Sequence, residues 1–188
     1  WDSALEALPA GHPGARRSAR PHAPGPDAPR PAVRLGLSLI QGMREDAARR
    51  IEDARAQSPF ADTGDLARRA ALNRHDLNAL AAGDALRALA GHRRQASWEA
   101  AASVHSRDLL RDATIEETQA PQLQAPSESQ TVAADYRSVG LTLHSHPVAL
   151  LRDQLAARNF QPAEVLNRYP DKRVARACGI VTVRQRPQ

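Results

Sequence analysis

The chain has 188 residues, and its net charge of +5 comes from 25 arginines and one lysine set against 21 acidic residues. This balance permits nucleic-acid binding without demonstrating it, and a single cysteine excludes an internal disulfide framework and a cysteine-based zinc site. No apolar run approaches the roughly 18 residues of a membrane span, and residues 1–32 lack the apolar core of a signal peptide, so we expect a cytoplasmic protein with no membrane partner.

The composition favours a mainly α fold. Aromatic residues make up only 3% of the chain, so a core must consist mostly of Leu, Ile, Val and Ala, and both Ala and Leu favour helix. Residues 1–8 fit the end of an earlier element, and the dense prolines of residues 9–31 predict a flexible linker because proline blocks helices. Since the first residue is Trp and not Met, we expect a piece of a longer polypeptide.

Residues 33–55 predict a lead-in, a tight turn and a helix. The lead-in has apolar residues at every second position, which is the period of a short strand. Gly42 then allows a sharp turn, and Glu45 and Asp46 suit the positive end of a helix. The predicted inward positions of this helix, which should end near residue 58, are Ala47, Ala48, Ile51, Ala54 and Arg55.

Two further helix starts follow the same logic of capping. Asp62 with Asp65, and Asn73 with Asp76, place a side-chain acceptor three residues before an acidic residue. The helix after Asn73 should close near residue 83. A later helix, HRRQASWEAA, is expected to bury Trp98 as its anchor.

The remainder divides into an acidic linker and a basic end. Residues 113–135 carry four acidic residues and no basic one, and their Pro, Gln and Ser predict a flexible linker. Residues 136–173 predict a helical connector in which Pro147 begins a helix, and the β-branched run within residues 174–188 predicts a strand. The net charge is +6 over residues 136–188 but only +1 over residues 41–112.

The two turn-and-helix units in residues 33–112 suggest a way to hold a nucleic-acid backbone. The first backbone N–H groups of a helix have no internal partner, and a tight turn lets a phosphate approach them. Two such turns side by side would hold two phosphates without reading bases, and Arg44 and Arg74 could add charge. The alternative is that two helical hairpins pack together only for stability.

Other polar residues offer weaker candidates. His144 and His146 could bind zinc on a strand, but no third ligand is near in sequence, so a helix cap or local packing is the favoured interpretation. Arg93 and Arg94 could touch phosphate or form an exposed helix face. Cys178 lies among apolar residues and is expected to be buried. The pair Glu116–Glu117 is interpreted as a solvated charge pair, and no catalytic or metal site is predicted.

Six strings occur together in a familiar order. They are WDSALE, VRLGLSLIQGM, SPFADTGDLARRAALNRHDL, ALRALAGHRRQASWEA, ADYRSVGLTLHSHPVALLR and GIVTVRQRP. In this order they resemble the error-prone DNA polymerases of the bacterial C family, paralogues of the polymerase III alpha subunit. The resemblance covers nearly everything except residues 7–31 and 113–130.

The resemblance implies a position within a polymerase. Residues 1–32 would hold the end of the fingers region and a linker, residues 33–112 a tandem helix-hairpin-helix domain, and residues 174–188 the first strand of a truncated OB-fold. The hairpin pair would grip duplex DNA by its backbone, with turns at Gly42, Met43 and Arg44 and at Asn73, Arg74 and His75. Arg44 replaces the second glycine of the family's Gly-hydrophobic-Gly turn, and the second turn has no such glycine.

The implied activity is DNA-directed DNA synthesis in replication and damage-induced translesion repair. The catalytic aspartates, and the Mg²⁺ that they would use, belong to a palm region that no part of this chain matches. We therefore expect no cofactor in this chain, with double-stranded DNA as its partner and other translesion or replisome proteins as further partners. The rival hypotheses are a helical protein-protein interaction module with no DNA contact and a truncated product without a function of its own.

Overall fold

The computed structural model describes residues 1–7, 31–102 and 121–186, and the chain is mainly helical there, as predicted. A small antiparallel sheet pairs β1 (Ala4–Ala7) with β2 (Pro31–Arg34). Five helices follow: α1 (Glu45–Gln57), α2 (Thr63–Arg69), α3 (Arg74–Ala82), α4 (Arg87–Ala90) and α5 (Arg93–Ala102). After residue 120 come α6 (Glu128–Ser138), α7 (Arg152–Ala157) and α8 (Ala163–Leu166), with short 3-10 helices at Leu37–Leu39 and Ala149–Leu151.

Three of the helix starts predicted from the sequence are confirmed by their first turns. The side chain of Asp62 accepts a hydrogen bond from the Asp65 N–H at 2.7 Å. Asn73 and Asp76 form a reciprocal capping box at the start of α3. Helix α1 begins at Glu45 without a side-chain cap but with two acidic residues in its first turn.

The core lies among the first five helices. Helix α3 packs against α5, which also contacts α2 and α4, and α1 contacts α2. Four of the five predicted inward residues of α1 are buried, but Arg55 is exposed, so the prediction is wrong for that residue. A charged guanidinium is rarely buried without a partner. Alanine occupies many of the other buried positions, and small side chains let helices approach closely. Gly83 serves the same end, because a Cβ there would lie 3.0 Å from the side chain of Ile40.

Trp98 does not anchor α5, so that prediction is wrong. Its side chain is 45% exposed, whereas Ala96 and Ala100 are buried on the same helix. Trp98 lies two positions from each alanine, which is about 200° around a helix. The side of α5 that faces the core therefore carries alanines, and the indole faces away from it.

Helix α6 occupies part of the predicted acidic linker, so the linker prediction is wrong for residues 128–135. Ser127 and Gln130 form a capping box that starts this helix. Its end contacts the first hairpin, because the Gln41 N–H donates to the Ser138 carbonyl at 2.7 Å. The predicted pair Glu116–Glu117 and most of the Pro-rich linker lie outside the described residues, although Pro31 itself belongs to β2.

Two local predictions near the ends of the fold are also wrong, and a third is confirmed in part. The alternating lead-in is a strand only as far as Arg34 and then becomes a 3-10 helix. Residues 174–186 form no strand in the described structure, since no described segment pairs with them, and Cys178 is exposed there. The helix predicted after Pro147 is present over a shorter span, because a 3-10 turn at Ala149–Leu151 continues directly into the six residues of α7. None of the helices in the described ranges is long and apolar enough to cross a membrane.

Candidate nucleic-acid interface

The first turn spans residues 40–44 and leads into α1. The Met43 N–H donates to the Ile40 carbonyl at 3.0 Å, and Met43 is buried. Gly42 has φ +82°, in the left-handed region that side chains rarely adopt. The predicted turn at Gly42 is therefore present, and Arg44 is the N-cap residue of α1.

The second turn spans residues 70–73 and joins α2 to α3. Ala71 has φ +47°, and the Leu72 N–H donates to the Ala67 carbonyl at 2.9 Å. Asn73 is the N-cap of α3, while Arg74 and His75 are its first two residues. The bend thus lies slightly earlier than the sequence predicted, and it contains a positive-φ residue that is not glycine.

The two turns share a plan with an offset of 29 residues. Gly42 and Ala71 both have positive φ, and Met43 and Leu72 are both buried just before an N-cap. A search for glycine misses Ala71. The signal that could have found it is a buried apolar residue directly before each cap, Met43 before Arg44 and Leu72 before Asn73.

Side chains from each turn-and-helix unit hold the other unit's turn. The Nε2 of His75 donates to the Gly42 carbonyl at 3.0 Å, because a carbonyl oxygen can only accept. In return, the Nε of Arg50 on α1 donates to the Ala70 carbonyl at 2.9 Å. We call these two adjacent segments, residues 40–44 and 70–73, the paired turns.

Arg44 is bound to Asp76 across the paired turns. Its Nε and Nη2 donate to the two carboxylate oxygens of Asp76 at 3.3 and 3.2 Å. These hydrogen bonds, together with the charge of Asp76, raise the pKa of Arg44 above its ordinary value. The carboxylate is fully buried, and the Arg44 side chain is 49% exposed. Arg44 therefore fixes α1 against α3, and its guanidinium is largely engaged within the chain.

Acidic side chains at the helix starts are matched by arginines. Arg49 donates to Glu45 at 3.0 Å, and Arg50 donates to Asp46 at 2.8 Å. The hydrogen bond from Arg50 lowers the pKa of Asp46 below its ordinary value. A negative charge at these ends would repel phosphate, so its pairing with arginine keeps the ends available to an anion.

Four backbone N–H groups at the two helix starts have no acceptor among the described residues. They belong to the first two residues of each helix, which are Glu45 and Asp46 in α1 and Arg74 and His75 in α3. Groups at these positions have no partner inside their own helix. The Arg74 side chain is exposed and forms no ion pair in the described part of the chain.

Arg93 and Arg94 lie away from the paired turns, between α5 and α6. Arg93 points inward, where it donates to the Ala82 carbonyl at 3.0 Å and forms an ion pair with Asp135. Arg94 is exposed but donates to Gln130 at 2.9 Å. The structure thus brings six of the eight predicted contact residues together, and these two arginines hold α6 in place.

The remaining histidine candidates serve local structure. The Nδ1 of His146 accepts the Val148 N–H at 3.2 Å, a local contact two residues along the chain. The N-cap of the following 3-10 helix is Val148 and has no side-chain cap, so His146 is not the helix cap. Across residues 1–7, 31–102 and 121–186, no three His, Cys, Asp or Glu side chains lie where they could hold a metal ion. The described residues therefore do not fit the Mg²⁺ that the resemblance implies for a parent polymerase, and no step is assigned to it.

Comparison with known proteins identifies the motif that contains both turns. Residues 13–96 match a family model described as a helix-hairpin-helix motif. The match covers α1 to α4, both paired turns and the start of α5. The helix-hairpin-helix part of the predicted fold is thereby confirmed.

Curated relatives match nearly the whole chain. An error-prone DNA polymerase from Bordetella parapertussis is 74% identical over 163 residues, which is 87% of this chain and 16% of that protein. Error-prone DNA polymerases from Burkholderia pseudomallei and Ralstonia pickettii are 52% and 56% identical over 100% and 84% of this chain, covering 16% and 15% of their own lengths. The chain thus spans about one sixth of the length of these relatives. It is homologous to one segment of the error-prone DNA polymerases, which confirms the family resemblance.

Proposed function

We propose that this segment holds duplex DNA by its backbone through the paired turns, which form a tandem helix-hairpin-helix unit. The free N–H groups at the starts of α1 and α3 are suited to phosphate oxygens, and the helix dipoles favour an anion there. Arg74 adds one exposed positive charge beside the second turn. Contacts of this kind position a duplex without reading its sequence.

The observation that carries the proposal is the direct contact between the two turns. His75 on the Gly42 carbonyl and Arg50 on the Ala70 carbonyl keep the two helix starts at one fixed separation. Helix starts that are already held in place can bind two phosphates without a further loss of loop conformational entropy on binding. The near-neutral charge of residues 41–112 agrees with backbone donors as the main contact.

The chemistry of a parent enzyme would lie outside the described residues. Its relatives are named error-prone DNA polymerases, and the proposed role is to position the duplex during DNA-directed synthesis in translesion repair. A palm region elsewhere in the polymerase would supply the catalytic aspartates and the Mg²⁺. This segment would bind and position the template-primer duplex, with no catalytic step of its own.

Binding of a duplex by the full 188-residue chain tests the proposal. Arg74→Glu should weaken binding and reduce the slope of log affinity against log salt by about 0.9, as expected for one lost backbone contact. Arg55→Glu makes the same charge change at another exposed arginine without an ion pair in the described structure, and it should have a smaller effect. A folded wild-type chain that binds no duplex at low salt would overturn the proposal.

Arg44→Glu is a poor test of DNA contact, because it places a second carboxylate beside buried Asp76. The rival function, a helical interaction module without DNA contact, is favoured by the exposed ring of Trp98. Under the DNA-binding proposal, Trp98→Ala should leave duplex affinity unchanged. If Trp98→Ala abolished duplex binding while Arg74→Glu did not, the paired turns would not be the contact site.

A further inference from the structure

Basic residues after α6 lack the acidic partners that the hairpin arginines have. Residues 152–186 contain eight basic and three acidic side chains. All eight basic side chains are exposed, and none forms an ion pair within the described ranges. The net charge of residues 152–186 is +5, which equals that of the whole chain. The positive field of the protein is therefore concentrated in this region.

Four of these charges lie within nine residues around the end of α8. We call Arg168, Lys172, Arg173 and Arg176 the cation cluster. The guanidinium of Arg173 stacks over the ring of Tyr169, 4.1 Å from its centroid. The one acidic residue among them, Asp171, accepts the Lys172 N–H at 2.9 Å and does not pair with a cationic side chain in the described structure.

The cation cluster is attached to the helices before it. The Gln161 N–H donates to the Arg176 carbonyl at 2.9 Å, which joins the chain after α8 to the segment that precedes it. Arg176 also reaches the Arg158 carbonyl, with a long contact of 3.4 Å. These links and the Arg173–Tyr169 stacking hold four like charges on one short stretch of chain.

Four close positive charges repel one another, so the cluster gains most from a ligand that carries several negative charges. DNA offers one phosphate for about every 1.7 Å of duplex axis. Guanidinium groups match phosphate oxygens with two parallel hydrogen bonds, and an aromatic ring beside them can meet an unpaired base. An acidic protein surface would not present its charges at such regular spacing.

We propose that the cation cluster is a second DNA-backbone contact site, separate from the paired turns. It binds phosphates of the same DNA molecule and supplies the bulk charge that residues 41–112 lack. This inference rests on the proposed function, because it assigns the cluster to the DNA that the paired turns hold. Duplex and single-stranded DNA share the phosphate chemistry, and the experiment separates them.

The test compares two variants of the full chain, each of which loses four positive charges at different residues. In the cluster variant, residues Arg168, Lys172, Arg173 and Arg176 are all replaced by Gln. In the control variant, four exposed arginines outside the cation cluster and the paired turns are replaced by Gln: Arg34, Arg55, Arg68 and Arg87. Affinity is measured for a 24-base-pair duplex and for a single strand of the same length, between about 50 and 300 mM salt. Over this range the Debye length falls from roughly 14 to 6 Å.

The cluster variant should reduce the slope of log affinity against log salt by about 3 to 4 on duplex DNA, or by about 3 on a single strand, if all four contacts are lost. The control variant should change either slope by less than about 1, since three of its arginines already have carboxylate partners and none belongs to a proposed contact site. Replacing the three cluster arginines by Lys should retain most of the slope, because the charge remains. A slope that changes on one form of DNA and stays unchanged on the other identifies the form that the cluster meets.

Unchanged slopes on both forms in the cluster variant would overturn the inference, and so would an equal fall in the control variant. The proposed function can fail separately. If the wild type binds DNA and Arg74→Glu weakens binding while the cluster variant does not, the paired turns alone hold the DNA. If the cluster variant loses binding while Arg74→Glu has no effect, the cluster is the contact and the proposed role of the paired turns is wrong.

Discussion

In residues 31–102, eight of eleven arginines form ion pairs with carboxylates, whereas none of the seven arginines in residues 152–186 does so in the described structure. Burial differs in the same way. Every buried hydrophobic residue of the described chain lies between Ile40 and Ala100, except Val132 on α6. The two regions therefore use arginine differently.

The difference teaches that the local supply of acceptors decides what an arginine does. Around the paired turns, arginines bind carboxylates and carbonyls of the chain itself, so their guanidinium groups are engaged in contacts that hold the fold. Arg69 is a clear case, since it donates to the Ser58 and Pro59 carbonyls and to Asp65. After α6, acidic residues are scarce, and the same side chain remains available to an external anion.

Truncation of a core leucine should separate the two regions most strongly. Leu77 is 0% exposed, and Leu77→Ala should lower the free energy of unfolding by about 3 kcal/mol through lost burial and a cavity. Leu151 is 47% exposed, and Leu151→Ala should cost less than about 1 kcal/mol because little area is lost. Urea unfolding followed by circular dichroism measures both. Equal losses would mean that the second region shares the core.

Removal of the Asp76 carboxylate should come next in size. Asp76→Ala removes the charged hydrogen bonds from Arg44 and half of the capping box, which together are worth about 2 kcal/mol. Arg44 can turn to water, so no charge is left buried. The matched control is Asp53→Ala on the exposed face of α1, where a change within about 0.5 kcal/mol is expected. A similar loss in both variants would show that the bridge does not stabilise the fold.

A side chain at Gly42 tests the strain of the first turn. Gly42→Ala should destabilise by about 1 to 2 kcal/mol, because an L residue pays that much in the left-handed conformation. A Cβ at Gly42 would touch the His75 ring only at an ordinary 3.6 Å, so the cost is conformational. Gly179→Ala, in open space in the second region, should be neutral. If Gly42→Ala proved neutral in thermal unfolding, the turn would not need its glycine.

The smallest expected effect is a pH dependence at Asp46. The hydrogen bond from Arg50 lowers the pKa of Asp46 in the folded chain. A lowered folded pKa gives stability that is complete above the unfolded value, about 4, and is lost as the pH falls through the folded value. Asp46→Asn should therefore lower the urea midpoint at pH 7 and have less effect at pH 2. In 1 M NaCl the difference at pH 7 should shrink, since the pair is exposed; a difference that grew in acid would contradict this assignment.

Helix starts could be predicted from the sequence because capping acts over three residues. Asp62 with Asp65 and Asn73 with Asp76 are visible in the sequence and present in the structure. The inward face of α1 was equally local, since it follows from helical spacing. The Gly42 turn could be predicted for the same reason, because glycine adopts a positive φ at no steric cost.

Contacts between distant segments could not be predicted in this way. Arg93 looks like an exposed cation until Asp135, 42 residues later, is brought beside it. Trp98 looks like a core residue until the close approach of α3 and α5 selects alanines for the shared face. In residues 174–188 the sequence predicted a strand that the described structure lacks. Their β-branched composition favours a strand but does not supply a neighbouring strand to pair with.

The reciprocal hold between the paired turns has a consequence for hydrogen exchange. If the hydrogen bond from His75 to the Gly42 carbonyl breaks, or the one from Arg50 to the Ala70 carbonyl, a carbonyl in the other unit's turn loses its donor. The amide protons of Met43 and Leu72, each bonded within a different turn, should therefore exchange through one shared opening. A chain in which both protons report the same opening free energy behaves, at this site, as a single cooperative unit built from two distant stretches of sequence.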